Sequence, residues 1–433
     1  LLVDEAHNLS AHVLDAETAK LTGDDLKWLR ERRDEIARET RIEWIREAID
    51  FLYETVMENL DGIGKMSEKT IPKWSVAPRF IKVEDLTLLQ EINRPEIGDP
   101  ESAASSETPL DRLIEFLFVA QMAATSDGWH VTLNIRKSWN EGLTLSDSSL
   151  MIRPLNSAGL TAPVLRGARS ALLMSGTIRP LEHYARILGV STASQEDVAS
   201  PYPRGTRLVM IDKNLSTKYQ NRNPDLWRAI AARINSALAI VPANKSALIA
   251  FPSYKMMHEV LSYGIDTGFR GTLVEGHGDR IETVAETIEA GPHAVFCVYG
   301  GKFAEGIDLV KGGSSLIDLI IGVGIPFSPP TSYQRALQEW YDSKFGEGFG
   351  YYYSAVVPSI RQVAQLLGRL RRSPEDWGVI VLIDNRFLRY HNVLGEDVVS
   401  DAWPFEGVEE LSGAIQQYIE MMEGRTHEMV RTN

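Results

Sequence analysis

Asp4–Glu5–Ala6–His7 closes the apolar run Leu1–Leu2–Val3. Nucleotide hydrolysis requires a carboxylate that holds Mg2+ and a neighbouring base that orients the attacking water, both fixed at a rigid strand end. On that chemistry Asp4 holds the metal through water and Glu5 acts on the nucleophile. Acids at a strand end are equally an ordinary solvated terminus, and four residues alone do not separate the two readings.

A second candidate runs from Gln365 to Arg372, Gln-Leu-Leu-Gly-Arg-Leu-Arg-Arg. On a helix turning about 100° per residue, Val363, Leu366, Leu367 and Leu370 share one face, and Gln365, Arg369 and Arg372 fall on the opposite one. The arginines are therefore not needed for packing. A phosphoryl transition state favours planar, permanently charged donors, and Arg369 and Arg372 at i and i+3 would present two to one anion. The alternative is a solvated basic face. The segment Gly300 to Asp308, Gly-Gly-Lys-Phe-Ala-Glu-Gly-Ile-Asp, allows close backbone approach through its glycines, while Glu305 and Asp308 could hold ribose or relay nucleotide state. It is also compatible with a plain turn. Ser175–Gly176–Thr177 and Ser253–Tyr254 each follow an apolar run, where helix-capping turns are common. Neither Gly64–Lys65 nor Gly301–Lys302 has the spaced upstream glycine together with a following Ser or Thr, so the chain has no phosphate loop of that type.

The elements that must position these residues are short, continuously apolar runs: Leu1–Val3, Leu172–Met174, Leu248–Phe251, Val295–Val298, Leu319–Ile321 and Val379–Ile383. Continuous apolarity is what a strand buried on both faces requires, and helical stretches separate most of the runs, which predicts a parallel α/β sheet. Ligands in such sheets sit beyond the carboxyl ends of the strands. Residues 12–146 break the pattern. Asp24 to Leu60 is charged and helical, a proline-punctuated polar tract follows, and Thr108–Pro109 reads as the N-cap and first turn of a helix through Met122. A second α/β unit begins between Pro201 and Arg207.

The chain has 433 residues, 44% of them hydrophobic, enough to bury core for two or three domains. No apolar run approaches the roughly 20 residues of a membrane span. The net charge of −14 argues against a uniformly basic coat for nucleic acid but leaves room for a local basic groove. The single cysteine, Cys297, excludes an internal disulfide and a cysteine-cluster metal site built from this chain alone.

Taken in order, these segments resemble the iron–sulfur helicases of superfamily 2, and the XPD family most closely. Val3 to Leu9 looks like motif II, and Ser175–Gly176–Thr177 with Pro180–Leu181 like motif III. Phe251 to Tyr254 looks like motif IV, Gly301 to Asp308 like motif V and Gln365 to Arg372 like motif VI. Asp384–Asn385–Arg386–Phe387 resembles the family's Asp-Lys-Arg-Phe stretch. The resemblance spans nearly the whole chain.

It implies two RecA-like parallel-sheet motor domains, the first incomplete, with an inserted mainly helical Arch domain. The expected division is 1–11 as the end of the first motor core, 12–146 as the Arch, 147–198 as the rest of the first motor domain and 199–433 as the second. Glu5, Asp4, Arg369 and Arg372 would then be catalytic, with ATP between the two motor domains. His7, Ser175, Gly176, Thr177, Glu305, Gly306, Asp308, Gln365 and Gly368 would bind nucleotide or couple its state to strand grip. Ser253, Tyr254, Lys302 and Arg386 would contact DNA. The implied function is ATP-dependent, 5′-to-3′ translocation on single-stranded or forked DNA in repair, such as nucleotide excision repair. The implied cofactors are ATP, Mg2+ and a [4Fe–4S] cluster. The family's Walker A motif and four cluster cysteines lie upstream of motif II and are missing here, so the chain alone is expected not to hydrolyse ATP. An intracellular monomer is expected, cytoplasmic if archaeal as the compact form suggests. The alternatives are a DinG-like iron–sulfur helicase and an inactive scaffold that binds DNA or repair partners.

Overall fold

A computed structural model describes residues 1–60, 68–92, 108–136, 144–276, 280–305, 309–395, 398 and 400–432. The chain divides into two compact units, one formed by Leu1–Leu173, Ala185–Thr192 and Pro329–Ser354, the other by Met174–Tyr184, Ala193–Ser328 and Ala355–Asn433.

The first unit contains β1 (Leu2–Val3), β2 (Ala19–Thr22), β3 (Glu68–Thr70), β4 (Trp129–Ile135), β5 (Ser148–Pro154) and β6 (Leu172–Leu173). β2, β5, β4 and β3 form, in that order, an antiparallel sheet. Residues of β5 alternate buried and half-buried, the pattern of a strand with one face on a core. The core is supplied by helices Gly23–Thr40, Trp44–Leu60 and Pro109–Thr125, through Leu26, Leu29, Ile45, Ile49, Leu52, Phe116 and Leu117. Capping sets the starts of the first and third: Thr22 accepts the N–H of Asp25 while Asp25 accepts that of Thr22, and Thr108 and Asp111 repeat the exchange ahead of Pro109. Arg41, in the left-handed region at φ 58°, separates the first two helices.

Two features differ from the sequence reading. Residues 12–146 are not simply helical, because β2, β3 and β4 lie among them and β5, expected in the first motor domain, completes their sheet. β2 and β3 are only four and three residues long, too short for period-two alternation to register. Pro329–Ser354, expected in 199–433, groups with the first unit. Its helix Ser332–Phe345 is tied there by His130 Nε2 to Ser332 Oγ at 3.2 Å and by Tyr333 Oη donating to the Pro154 carbonyl at 2.9 Å.

The second unit contains β7 (Arg207–Asp212), β8 (Ser246–Phe251), β9 (Gly271–Val274), β10 (His293–Val298), β11 (Val310–Lys311), β12 (Ser314–Ser315), β13 (Ile317–Val323), β14 (Gly378–Ile383) and β15 (Ala402–Phe405). Seven of these form one sheet of order β15-β7-β14-β13-β8-β10-β9, every pair parallel. Each residue of β8, β13 and β14 is buried, as continuous apolarity requires. Ile249, Phe251, Leu319, Ile321, Val379 and Val381 join helix residues such as Ile230 and Ile415 in a single core. The α/β expectation holds here in full.

Candidate nucleotide and nucleic-acid site

In the first unit β1 pairs in parallel with β6, Leu2 opposite Leu172 and Val3 opposite Leu173. Each strand of this pair has two residues, and Leu2 is 65% and Leu172 58% exposed. Two strands alone leave both faces of a ribbon uncovered. Past β1 the chain turns sharply, because Glu5 adopts the left-handed conformation at φ 47°, uncommon for a residue with a Cβ. Asp4 Oδ1 accepts the Glu5 N–H at 2.8 Å, and Glu5 Oε2 lies 3.0 Å from His7 Nδ1. The His7 side chain is fully buried while that of Glu5 is 62% exposed. A buried imidazole thus orients a solvent-facing carboxylate beside a second one, a suitable arrangement for Mg2+ held through water and for a general base.

Ser175–Gly176–Thr177 falls in the second unit. The Thr177 N–H donates to Ser175 Oγ at 3.1 Å, and the two hydroxyl oxygens are 3.5 Å apart. Gly176 between them is exposed. Parallel strands bring a further set of the predicted residues to one end of the large sheet. Beyond β8, Ser253 caps helix Tyr254–Leu261 by accepting the Met256 N–H at 3.3 Å, so the capping reading of this residue is realised. Beyond β10, Gly301 and the exposed Lys302 lead into the short helix Lys302–Glu305. Gly306, Asp308 and the side chain of Glu305 lie outside the described residues. Beyond β14, Arg386 gives Asp384 two charge-assisted hydrogen bonds, Nε to Oδ1 at 2.8 Å and Nη2 to Oδ2 at 2.7 Å. Its Nη2 also donates to Thr217 Oγ1 at 2.9 Å, and its guanidinium lies 5.4 Å from the Phe327 ring. Arg386 is only 9% exposed. Burial alone would raise the Asp384 carboxyl, but Arg386 and the N–H groups of Thr217 and Arg386 outweigh it and hold it below the usual carboxylate range.

The arginine pair is placed differently from the helical expectation. Helix Val357–Leu367 buries Val363, Leu366 and Leu367 and leaves Gln365 half-buried on its other face, but it stops before Arg369 and Arg372. Had it continued, the Arg372 and Ser373 N–H groups would donate to the carbonyls four residues back. Instead Asp376 Oδ2 accepts both, each at 2.8 Å, and Ser315 Oγ donates to the Arg369 carbonyl at 2.9 Å. Asp376 also takes the Ser315 N–H at 3.0 Å, with Lys245 Nζ at 3.5 Å. Burial opposes the Asp376 charge, yet these donors hold its carboxyl below the usual range. Arg371 turns inward, donating to Thr206 Oγ1 at 3.0 Å and lying over the Tyr202 ring. Exposed Arg372 and half-buried Arg369 are therefore presented by a turn whose backbone is fastened at the amino ends of β13 and β14, opposite the end that carries Ser253, Lys302 and Arg386. Sequence reasoning missed Asp376, Ser315 and Glu275. Single acids and serines in loops carry no spacing signal, and only the fold shows whose backbone they hold.

A [4Fe–4S] cluster takes four cysteine thiolates, and this chain has one cysteine, so its residues do not fit that group. Cys297 lies fully buried in β10, where burial and the nearby Glu275 carboxylate push its thiol up, away from the thiolate a metal needs. Among the described residues no three His, Cys, Asp or Glu side chains form a group able to hold a metal, and no helix is long and apolar enough to cross a membrane.

Residues 234–398 match the family model described as a helicase C-terminal domain. The chain is 29% identical over 227 residues to the ATP-dependent DNA helicase XPD of Sulfolobus acidocaldarius, covering 50% of this chain and 39% of the relative. Over 272 residues it is 28% identical to the Saccharomyces cerevisiae general transcription and DNA repair factor IIH helicase subunit XPD/RAD3, covering 58% and 33%. The chain thus spans well under half the length of these curated relatives. In fold it is similar to a solved XPD helicase, with a TM-score of 0.56 and 21% identity across 94% of this chain and 68% of that one. It is also similar to S. tokodaii Xpd4, with a TM-score of 0.59 and 19% identity across 93% of this chain and 75% of that one.

Proposed function

We propose that this chain, an XPD-family helicase sequence over the portion it spans, is part of an ATP-driven motor that moves along single-stranded DNA. The observation that carries the reading is the helicase C-terminal domain match over 234–398, which encloses Ser253, Tyr254, Lys302, Gln365, Arg369 and Arg372. In this reading Asp4 holds Mg2+ through water and Glu5 takes a proton from the water that attacks the γ-phosphate, with His7 fixing the direction of the Glu5 carboxylate. Arg369 and Arg372 neutralise charge that develops on the transferred phosphoryl group, their backbone held by Asp376 and Ser315. Mg2+, held by Asp4 through water, would supply positive charge at the phosphates. Ser175, Gly176, Thr177, Glu305, Gly306, Asp308, Gln365 and Gly368 relay nucleotide state to Ser253, Tyr254 and Lys302, which grip the strand. Arg386 serves the DNA-facing end through the buried pair with Asp384 that shapes the loop around it. The proposed setting is DNA repair inside the cell, with forked DNA as substrate and 5′-to-3′ movement.

The test is ATP hydrolysis with and without single-stranded DNA, using the complete gene product that contains this chain beside its Glu5→Gln variant. The expected outcome is stimulation by DNA in the parent and turnover lowered by about 10²- to 10⁴-fold in the variant, with nucleotide still bound. Equal turnover in both proteins removes Glu5 from the base role. No turnover in either, with both folded, points instead to a DNA-binding scaffold, and a panel of branched substrates separates an XPD-like preference from a DinG-like one.

A further inference from the structure

Glu275, at the carboxyl end of β9, is 1% exposed and has no role in the chemistry described above. An isolated carboxylate in that position is costly unless hydrogen bonds hold it. Glu275 Oε2 accepts the Val298 N–H at 3.0 Å, at the last residue of β10. Its Oε1 accepts the Lys302 N–H at 2.8 Å, and Tyr254 Oη donates to the same oxygen at 3.3 Å. The residue between those two backbone donors explains a requirement for glycine: a Cβ on Gly301 would lie 2.6 Å from both Glu275 carboxylate oxygens. One buried group therefore clamps the entire entry to helix Lys302–Glu305 and, through a single hydroxyl, touches the first residue of helix Tyr254–Leu261.

We propose that Glu275 is a positioning residue that links Tyr254 to the Gly301–Lys302 turn, so that a shift of the turn is felt at the strand-contacting tyrosine and the reverse. This rests on the reading of Tyr254 and Lys302 as DNA contacts. The link is mechanical: Val298 and Lys302 fix the carboxylate from the β10 side, and Tyr254 Oη follows the oxygen it is bonded to. No proton moves and no bond is made or broken. Tyr254→Phe removes the hydroxyl that bonds Glu275 and leaves the ring in place. Glu275→Gln weakens the link from the other side, replacing one acceptor by an amide NH2 that faces a backbone N–H donor.

The experiment is a double-mutant cycle in the complete gene product, reading the single-stranded DNA concentration that half-saturates stimulation of ATP hydrolysis. Each single variant is expected to raise that concentration by about fivefold, the worth of one hydrogen bond, and the double variant by no more than either alone. Hydrogen exchange over residues 298–302 supplies a readout independent of turnover: it should accelerate in Glu275→Gln, which loses an acceptor for a backbone N–H, and to a smaller degree in Tyr254→Phe, which keeps both. If the double variant shows the product of the two single effects, or if Glu275→Gln lowers thermal stability with no change in DNA half-saturation, the link is refuted although the motor reading stands. A parent protein whose hydrolysis ignores DNA overturns the motor reading and the proposed link with it, and is told apart from the first result by the parent alone.

Discussion

Asp384 has no solvent exposure and accepts two charged hydrogen bonds from Arg386 at the candidate DNA end of the sheet. Its partner Arg386, which the family resemblance assigns to DNA contact, bonds within the protein through Nε and Nη2. The sign of its pH dependence follows from the depressed carboxyl. The folded value lies below the unfolded one, near 3.9. The pair therefore stabilises fully above the unfolded value and loses its contribution as pH falls through the folded one. Asp384→Asn is expected to cost about 3–5 kcal/mol at pH 7, because it leaves a buried guanidinium uncompensated. The deficit should shrink below about pH 4, where the parent carboxylate itself takes up a proton. Denaturant melts of both proteins across that range check it, and a deficit that stays constant into acid would mean that the charge on Asp384 contributes nothing.

At the scale of elements, the turn from Gly368 to Ser373 shows how a sequence pattern and a fold part company. Helical periodicity describes Val363 to Leu367 well, and Gln365 does stand on the face opposite the buried leucines. The pattern carries no information on where the helix stops, because the competitors for its last hydrogen bonds are Asp376 and a serine more than fifty residues upstream. Asp376→Ala strands three backbone N–H groups and frees the arginines to wander. If Arg369 and Arg372 act on the phosphoryl group as proposed, turnover by the complete gene product should fall by about a hundredfold, the cost of misplacing a catalytic group by about 1 Å. Asp376→Asn keeps an acceptor and should recover much of the loss. Single-turnover hydrolysis by folded variants decides the matter: a parent-like rate in Asp376→Ala means that the arginines do not depend on this turn.

At the scale of the whole chain, one hydrophobic core among the described residues lies under the four-stranded antiparallel sheet and another on one face of the seven-stranded parallel sheet. Leu52 and Ile249 are both fully buried, one in each. Truncating either to alanine should cost about 2–5 kcal/mol. In scanning calorimetry Leu52→Ala is expected to lower one transition and Ile249→Ala the other. If both variants lower a single shared transition by the same amount, the two cores unfold as one cooperative unit.

Several features were readable from the residues alone: the α/β class, the runs that became β8, β10, β13 and β14, the Thr108–Pro109 helix start, and the carboxylate pair Asp4–Glu5. Each is written locally, in continuous apolarity, a capping pair or adjacent acids, and each needs only nearest neighbours along the chain. Tertiary structure alone decided that β2 to β5 form one antiparallel sheet, that Pro329–Ser354 groups with the first unit, and that Arg369 and Arg372 leave their helix. It also decided that Glu275 and Asp376 hold the backbone of the candidate site. These outcomes depend on hydrogen bonds between residues far apart in sequence, and a lone carboxylate reveals which N–H groups it will accept only when the fold has brought them to it.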